Sequence, residues 1–105
     1  MTENEIEKDI LRYLNSLPGC FAYKVGTVGR YQGGRRIKSN PLEKKGRSDI
    51  VCCAGGKAVF IEVKSQTGKQ RPEQKIFEQE VNQAGGLYFI ARSVKEVETK
   101  LKNVL

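Results

Sequence analysis

Apolar residues recur at Ile6, Ile10, Leu14 and Leu17, with Leu11 and Tyr13 beside them. That spacing predicts an amphipathic helix over residues 3–17. Thr2 is placed to cap it and Pro18-Gly19 to end it. Cys20 to Val25 reads as a short strand. Ser48 to Cys53 and Lys57 to Lys64 read as two more, joined by an Ala54-Gly55-Gly56 hairpin turn. Pro72 suits the first position of a second helix, which presents Gln74, Phe77 and Val81 on one face, with Ile76 and Ala84 beside it, and stops at Gly85-Gly86. Leu87-Tyr88-Phe89-Ile90-Ala91 is apolar throughout, as a central parallel strand tends to be. Ser93-x-x-Glu96 is a capping box opening a last helix with Val94, Val97, Leu101 and Val104. The predicted order is α-β-β-β-α-β-α. The helix between the last two strands makes that pair parallel, giving a mixed α/β sheet with flanking helices.

Two carboxylates interrupt this pattern. Asp49 opens one apolar run, and Glu62 and Lys64 lie inside the next. Residues two apart in a strand share a face, so Glu62 and Lys64 project together, opposite Val59, Ile61 and Val63. Charges inside so apolar a strand are costly unless paired or metal-bound. A salt-bridged pair on an exposed edge is the alternative. In the first helix, Glu7 falls within the apolar stripe and Glu5 on the wet side. Glu7 therefore reads either as an inward-facing carboxylate or as a first-turn glutamate favoured by the helix dipole.

Length and composition narrow the chemistry. The 105 residues amount to one small domain, 1–105. No apolar run is long enough to span a membrane and no signal-peptide pattern is present, so a soluble intracellular protein is expected. Cys20, Cys52 and Cys53 give neither a disulfide framework nor a zinc ribbon and read as structural. With no histidine, triads and histidine bases are excluded, and catalysis would rest on carboxylates, Lys, Tyr, Cys or an oxygen-held metal. The net charge is +7. Between Lys24 and Arg47, eight basic residues (Lys24, Arg30, Arg35, Arg36, Lys38, Lys44, Lys45 and Arg47) stand against Glu43 alone. The long Gly-rich segment 26–46 carrying most of them is expected to run over the surface to a polyanion, most simply nucleic acid. A solubilising loop is the alternative.

An aspartate followed by Glu-x-Lys on the next strand of an αβββαβ unit resembles the catalytic pattern of the PD-(D/E)XK, or restriction-endonuclease-like, nucleases. Within that superfamily the chain is most similar to the stand-alone virus-type replication-repair nuclease (VRR-NUC) domain. Lys45-Gly46-Arg47-Ser48-Asp49, Ile61-Glu62-Val63-Lys64 and Gln74 carry the likeness, and Ser48 replaces the proline of the superfamily's name. Glu7 resembles the first-helix glutamate of archaeal Holliday-junction resolvases.

The resemblance implies that Asp49, Glu62 and the backbone carbonyl of Val63 bind Mg²⁺ or Mn²⁺. It also implies that Glu7 holds a water of that metal or a second ion, that Lys64 orients the attacking water, and that Gln74 hydrogen-bonds Lys64 or a metal-bound water. Such metals suit phosphodiester hydrolysis because hard oxygen ligands activate water and neutralise transition-state charge. The implied protein is a homodimeric, metal-dependent endodeoxyribonuclease acting in DNA repair on Holliday junctions or other branched DNA, of phage origin and so in the host cytoplasm. Arg30, Arg35, Arg36, Lys38, Lys44, Lys45 and Arg47 would grip the DNA. A nicking or non-specific duplex nuclease, an RNA-cleaving enzyme and a non-catalytic basic binding module are the competing readings.

Overall fold

The computed structural model describes residues 1–25 and 44–105, and the backbone alone of residues 31–32 and 35–36. Elements follow in the order α1 (Glu3–Ser16), β1 (Cys20–Lys24), β2 (Tyr31–Gln32), β3 (Arg35–Arg36), β4 (Ile50–Ala54), β5 (Lys57–Val63), α2 (Pro72–Gln83), β6 (Leu87–Ala91) and α3 (Val94–Leu101). Four strands form one sheet in the order β1-β4-β5-β6. The first two pairings are antiparallel and β5–β6 is parallel. The short β2–β3 pair is a separate antiparallel ribbon within the basic segment. This is the mixed α/β sheet that the hydrophobic pattern predicts.

Alternation along β5 assigns its two faces. Val59, Ile61 and Val63 join Ile50, Cys52, Ala54, Phe89 and Ala91 in a core covered by Ile6, Ile10 and Leu14 of α1 and by Val97 and Leu101 of α3. Burying each of the larger aliphatic side chains contributes about 1.5–3 kcal/mol. On the opposite face α2 lays Phe77 between Phe60 of β5 and Tyr88 of β6, with ring centroids 5.8 and 6.0 Å apart. That face also carries Glu62 and Lys64.

Local chemistry explains the boundaries. Thr2 and Glu5 form a reciprocal capping box at the start of α1. Ser93 caps α3 through the Glu96 N–H, but the Glu96 carboxylate takes the N–H of Arg92 and not that of Ser93. The β4–β5 turn is two residues long, with Gly55 and Gly56 both at positive φ (58° and 82°), and Ala54 belongs to the strand. Such a turn matches the strand twist and fixes the register without a bulge. β1 lies at one edge of the sheet. There the Asn15 side chain of α1 both donates to the Ala22 carbonyl and accepts from its N–H, as a neighbouring strand would.

Two expectations need correction. β6 is an edge strand, not a central one: among the described residues no strand pairs with its outer side. Its uniform apolarity arises because α2 and α3 cover its two faces. β4 begins at Ile50, so Asp49 precedes the strand. Cys52 and Cys53 do point to opposite sides, one buried and one exposed.

Gly46 holds the approach to Asp49 in place. Its φ of +74° is left-handed, and an added Cβ would lie 2.2 Å from the Glu73 carbonyl oxygen and 2.8 Å from the Gln74 nitrogen. The chain here passes directly over the first turn of α2, as only glycine allows. Gly46→Ala is expected to lower stability by at least about 1–2 kcal/mol from backbone strain alone. Denaturant unfolding of the two proteins checks this; equal midpoints would contradict the close packing.

Candidate active site

The hairpin brings the two carboxylates together. Ile50 pairs with Ile61, so the next position outward sets Asp49 beside Glu62 on the neighbouring strand. Asp49 is anchored from both sides. Its backbone carbonyl accepts the Val25 N–H at 2.8 Å, and its Oδ2 accepts the Val63 N–H at 2.7 Å. Ser48, buried beside the half-buried Asp49, donates its hydroxyl to the Ile50 carbonyl at 3.1 Å, stiffening the bend that carries Asp49. A proline at this position would restrict the same bend through its ring.

Glu62 is 4% exposed, Lys64 8% and Gln74 1%. Glu62 Oε1 accepts the Gln74 amide at 2.9 Å, and the Lys64 ammonium lies 3.6 Å from it. Gln74 is oriented in turn by the Arg71 N–H, which donates to its Oε1 at 2.8 Å. The Gln74 amide thus reaches Glu62 and not Lys64. Glu62 Oε2 is buried with no hydrogen-bond partner among the described residues.

Burial, and then the Asp49 charge beside it, push the Glu62 carboxyl from its ordinary 4.5 up to about 8, against the opposing pull of Lys64 and Arg71. Two ionised carboxylates in a poorly hydrated site repel, and without a cation the pair relieves this by keeping a proton. A divalent cation beside Oε2 would relieve it instead. The orphaned oxygen, the adjoining carboxylate and the all-oxygen donor set fit Mg²⁺ or Mn²⁺.

Glu7 is buried on α1, and its carboxylate is engaged by Lys24 at 3.0 Å. Among the described residues no three His, Cys, Asp or Glu side chains form a group able to hold a metal ion, so Glu7 does not join Asp49 and Glu62 in such a set. Lys44 pairs with Glu80 at 3.3 Å on the surface of α2, Lys45 is exposed and Arg47 half-buried. Arg30, Arg35, Arg36 and Lys38 lie outside the residues whose side chains are described. Lys24, Glu3 and Arg92 make contacts here that the sequence pattern assigns to no site role. Lys24 had a findable signal, being the basic residue that ends a strand beside the stripe holding Glu7. The other two act across long sequence separations that no local pattern reveals.

The raised Glu62 carboxyl has a consequence for stability. The folded, metal-free protein holds a proton that the unfolded chain releases near 4.5, so its stability declines as pH rises from about 4.5 through about 8. Glu62→Gln is expected to flatten that decline, and Mg²⁺ or Mn²⁺ to oppose it most at the alkaline end. Thermal unfolding from pH 5 to 8.5, with and without metal, checks this. A wild-type melting temperature as flat as the variant's would contradict it.

No protein-family model matches the chain, and neither does any curated protein. Solved structures do. One described as "VRR_NUC domain" superposes with a TM-score of 0.66 at 23% identity, over 98% of this chain and 97% of its own. A "VRR_NUC domain protein" superposes with a TM-score of 0.62 at 15% identity, over 98% of this chain and 87% of its own. The likeness spans the sheet, its flanking helices and the segment carrying the carboxylates, and it agrees with the resemblance carried by the Asp49 and Glu62-Val63-Lys64 motifs. The chain therefore shares the fold of these VRR_NUC domain structures.

Proposed function

We propose that this chain is a metal-dependent endonuclease that hydrolyses phosphodiester bonds in DNA, with Holliday junctions or other branched DNA as its substrate. The observation that carries the reading is the buried Glu62, its Oε2 unpartnered, beside Asp49 and within 3.6 Å of the Lys64 ammonium. The shared VRR_NUC fold and the +7 net charge support it.

Asp49, Glu62 and the Val63 carbonyl would hold the ion. Bound there, Mg²⁺ or Mn²⁺ supplies charge neutralisation at the phosphate and a more acidic water. Gln74 fixes Oε1 of Glu62, leaving Oε2 directed at the site. The Val63 N–H fixes Oδ2 of Asp49, and Oδ1 is assigned to the same task. Lys64 presents its ammonium to the attacking water and to the negative charge growing on the phosphate. Glu7, held by Lys24, would hold a water of that metal or a second ion. Lys44, Lys45 and Arg47, with Arg30, Arg35, Arg36 and Lys38, supply phosphate contacts that grip by charge and shape and read no bases. A two-fold homodimer would present two such sites to opposed strands of a junction.

The test offers four-way junction, flap, nicked and linear DNA side by side, with and without Mg²⁺ or Mn²⁺. Metal-dependent cutting of branched DNA is expected, and EDTA should abolish it. Asp49→Ala and Glu62→Ala should bind junctions but not cut them, and Lys64→Ala should slow cutting about 100- to 1,000-fold. Cleavage that survives EDTA would overturn the metal mechanism. An Asp49→Ala protein altered only in affinity would reduce the chain to a basic binding module, and equal cutting of linear duplex would remove the preference for branches.

A further inference from the structure

The chain leaving Lys64 turns back on itself at once. The Gly68 N–H donates to the Ser65 carbonyl at 3.2 Å, closing a tight turn. Two distant residues hold that turn. Glu3, at the start of α1, accepts the Ser65 N–H at 3.2 Å through its Oε1. Arg92, just past the end of β6, donates from one guanidinium nitrogen to both the Ser65 and the Gly68 carbonyls, the latter at 2.7 Å. The backbone of Arg92 is itself tied to α3, its N–H donating to the Glu96 carboxylate at 2.8 Å.

The turn packs on the lysine it follows. A Cβ at Gly68 would meet Lys64 Cδ at 3.3 Å and Lys64 Cβ at 3.4 Å, with Glu3 Oε1 also at 3.3 Å. The wall of the turn therefore lies against the aliphatic stem whose ammonium reaches Glu62. A stem enclosed in this way loses rotamer freedom that an exposed lysine keeps. A guanidinium suits this place, since the two N–H groups of its planar Nη1 can each serve one carbonyl at low entropic cost. Because β5 and β6 are parallel, their C-terminal ends lie side by side, which puts Arg92 next to Ser65.

We propose that Arg92 is a positioning residue for Lys64, acting through the Ser65–Gly68 turn that it holds against the lysine stem. The inference rests on Lys64 serving cleavage, but its structural half can be measured without any cleavage. In native protein, acylation of Lys64 by acetic anhydride at fixed pH, followed by peptide mass analysis, reports how well the stem is enclosed. Arg92→Ala is expected to speed labelling of Lys64 several-fold relative to other lysines, with Arg92→Lys restoring much of the protection.

In cleavage assays Arg92→Ala should lower kcat about 10- to 100-fold, the range a misplacement of about 1 Å produces, with KM and junction affinity in Ca²⁺ unchanged. Gly68→Ala guards against a simple folding defect. Gly68 is outside the left-handed region, so its backbone accepts alanine, and the heavy atoms nearest the new methyl belong to the Lys64 stem and the Glu3 carboxylate. It should lower kcat about 10-fold with a cooperative melt retained. Wild-type labelling of Lys64 in Arg92→Ala would overturn the proposal, as would a wild-type kcat in both variants. A wild-type protein that cuts no substrate would refute the nuclease reading, while the labelling would still decide whether Arg92 encloses Lys64.

Discussion

Asp49 and Glu62 are forced together by backbone hydrogen bonding that neither controls. The Gly55-Gly56 turn fixes how β4 returns along β5, and that register sets the half-buried Asp49 beside the buried Glu62. Side-chain freedom does not relieve the conflict. Asp49 is held by Val25 and Val63, and Glu62 by Gln74, so neither can swing into solvent without losing hydrogen bonds. One ammonium at 3.6 Å offsets only part of the repulsion, and the Glu62 carboxyl stays high at about 8. Under the proposed function, a bound cation relieves that conflict in place of the proton.

The two faces of the sheet divide the work. The α1 and α3 face is a nearly all-apolar core, which fixes strand positions tightly enough to hold a polar site on the other side. The α2 face carries an aromatic cluster at one end and the charged residues at the other. α2 serves both: Phe77 packs into the aromatics, while Gln74, one turn earlier, reaches Glu62. Gly46 completes the arrangement by letting the lead-in to Asp49 cross the first turn of that helix. The support of the site thus comes from every layer, and from residues as far apart in sequence as Glu3 and Arg92.

Much of this was legible in the sequence for plain reasons. Hydrophobic period fixed the type and order of the main elements, and Pro and Gly marked their ends. The parallel β5–β6 pair followed from the helix joining them. The pairing of Glu62 with Lys64 followed from strand alternation. What escaped was tertiary. The uniform apolarity of Leu87–Ala91 reports two covering helices, which an edge strand can have as readily as a central one. Asp49 lies outside its strand because its carboxylate competes for the Val63 N–H. The engagement of Glu7 by Lys24, of Gln74 by Glu62, and of the Ser65–Gly68 turn by Arg92 depends on contacts between elements, where local pattern carries no signal.

The central claim is that Asp49 and Glu62 form one cation site. Crystals soaked in Mn²⁺ and measured at a wavelength where manganese scatters anomalously test it most directly. The account predicts an anomalous peak within coordination distance of both carboxylates, about 2.0–2.6 Å for hard cations on oxygen. A peak held by only one of them, or none at that position under saturating Mn²⁺, would contradict it.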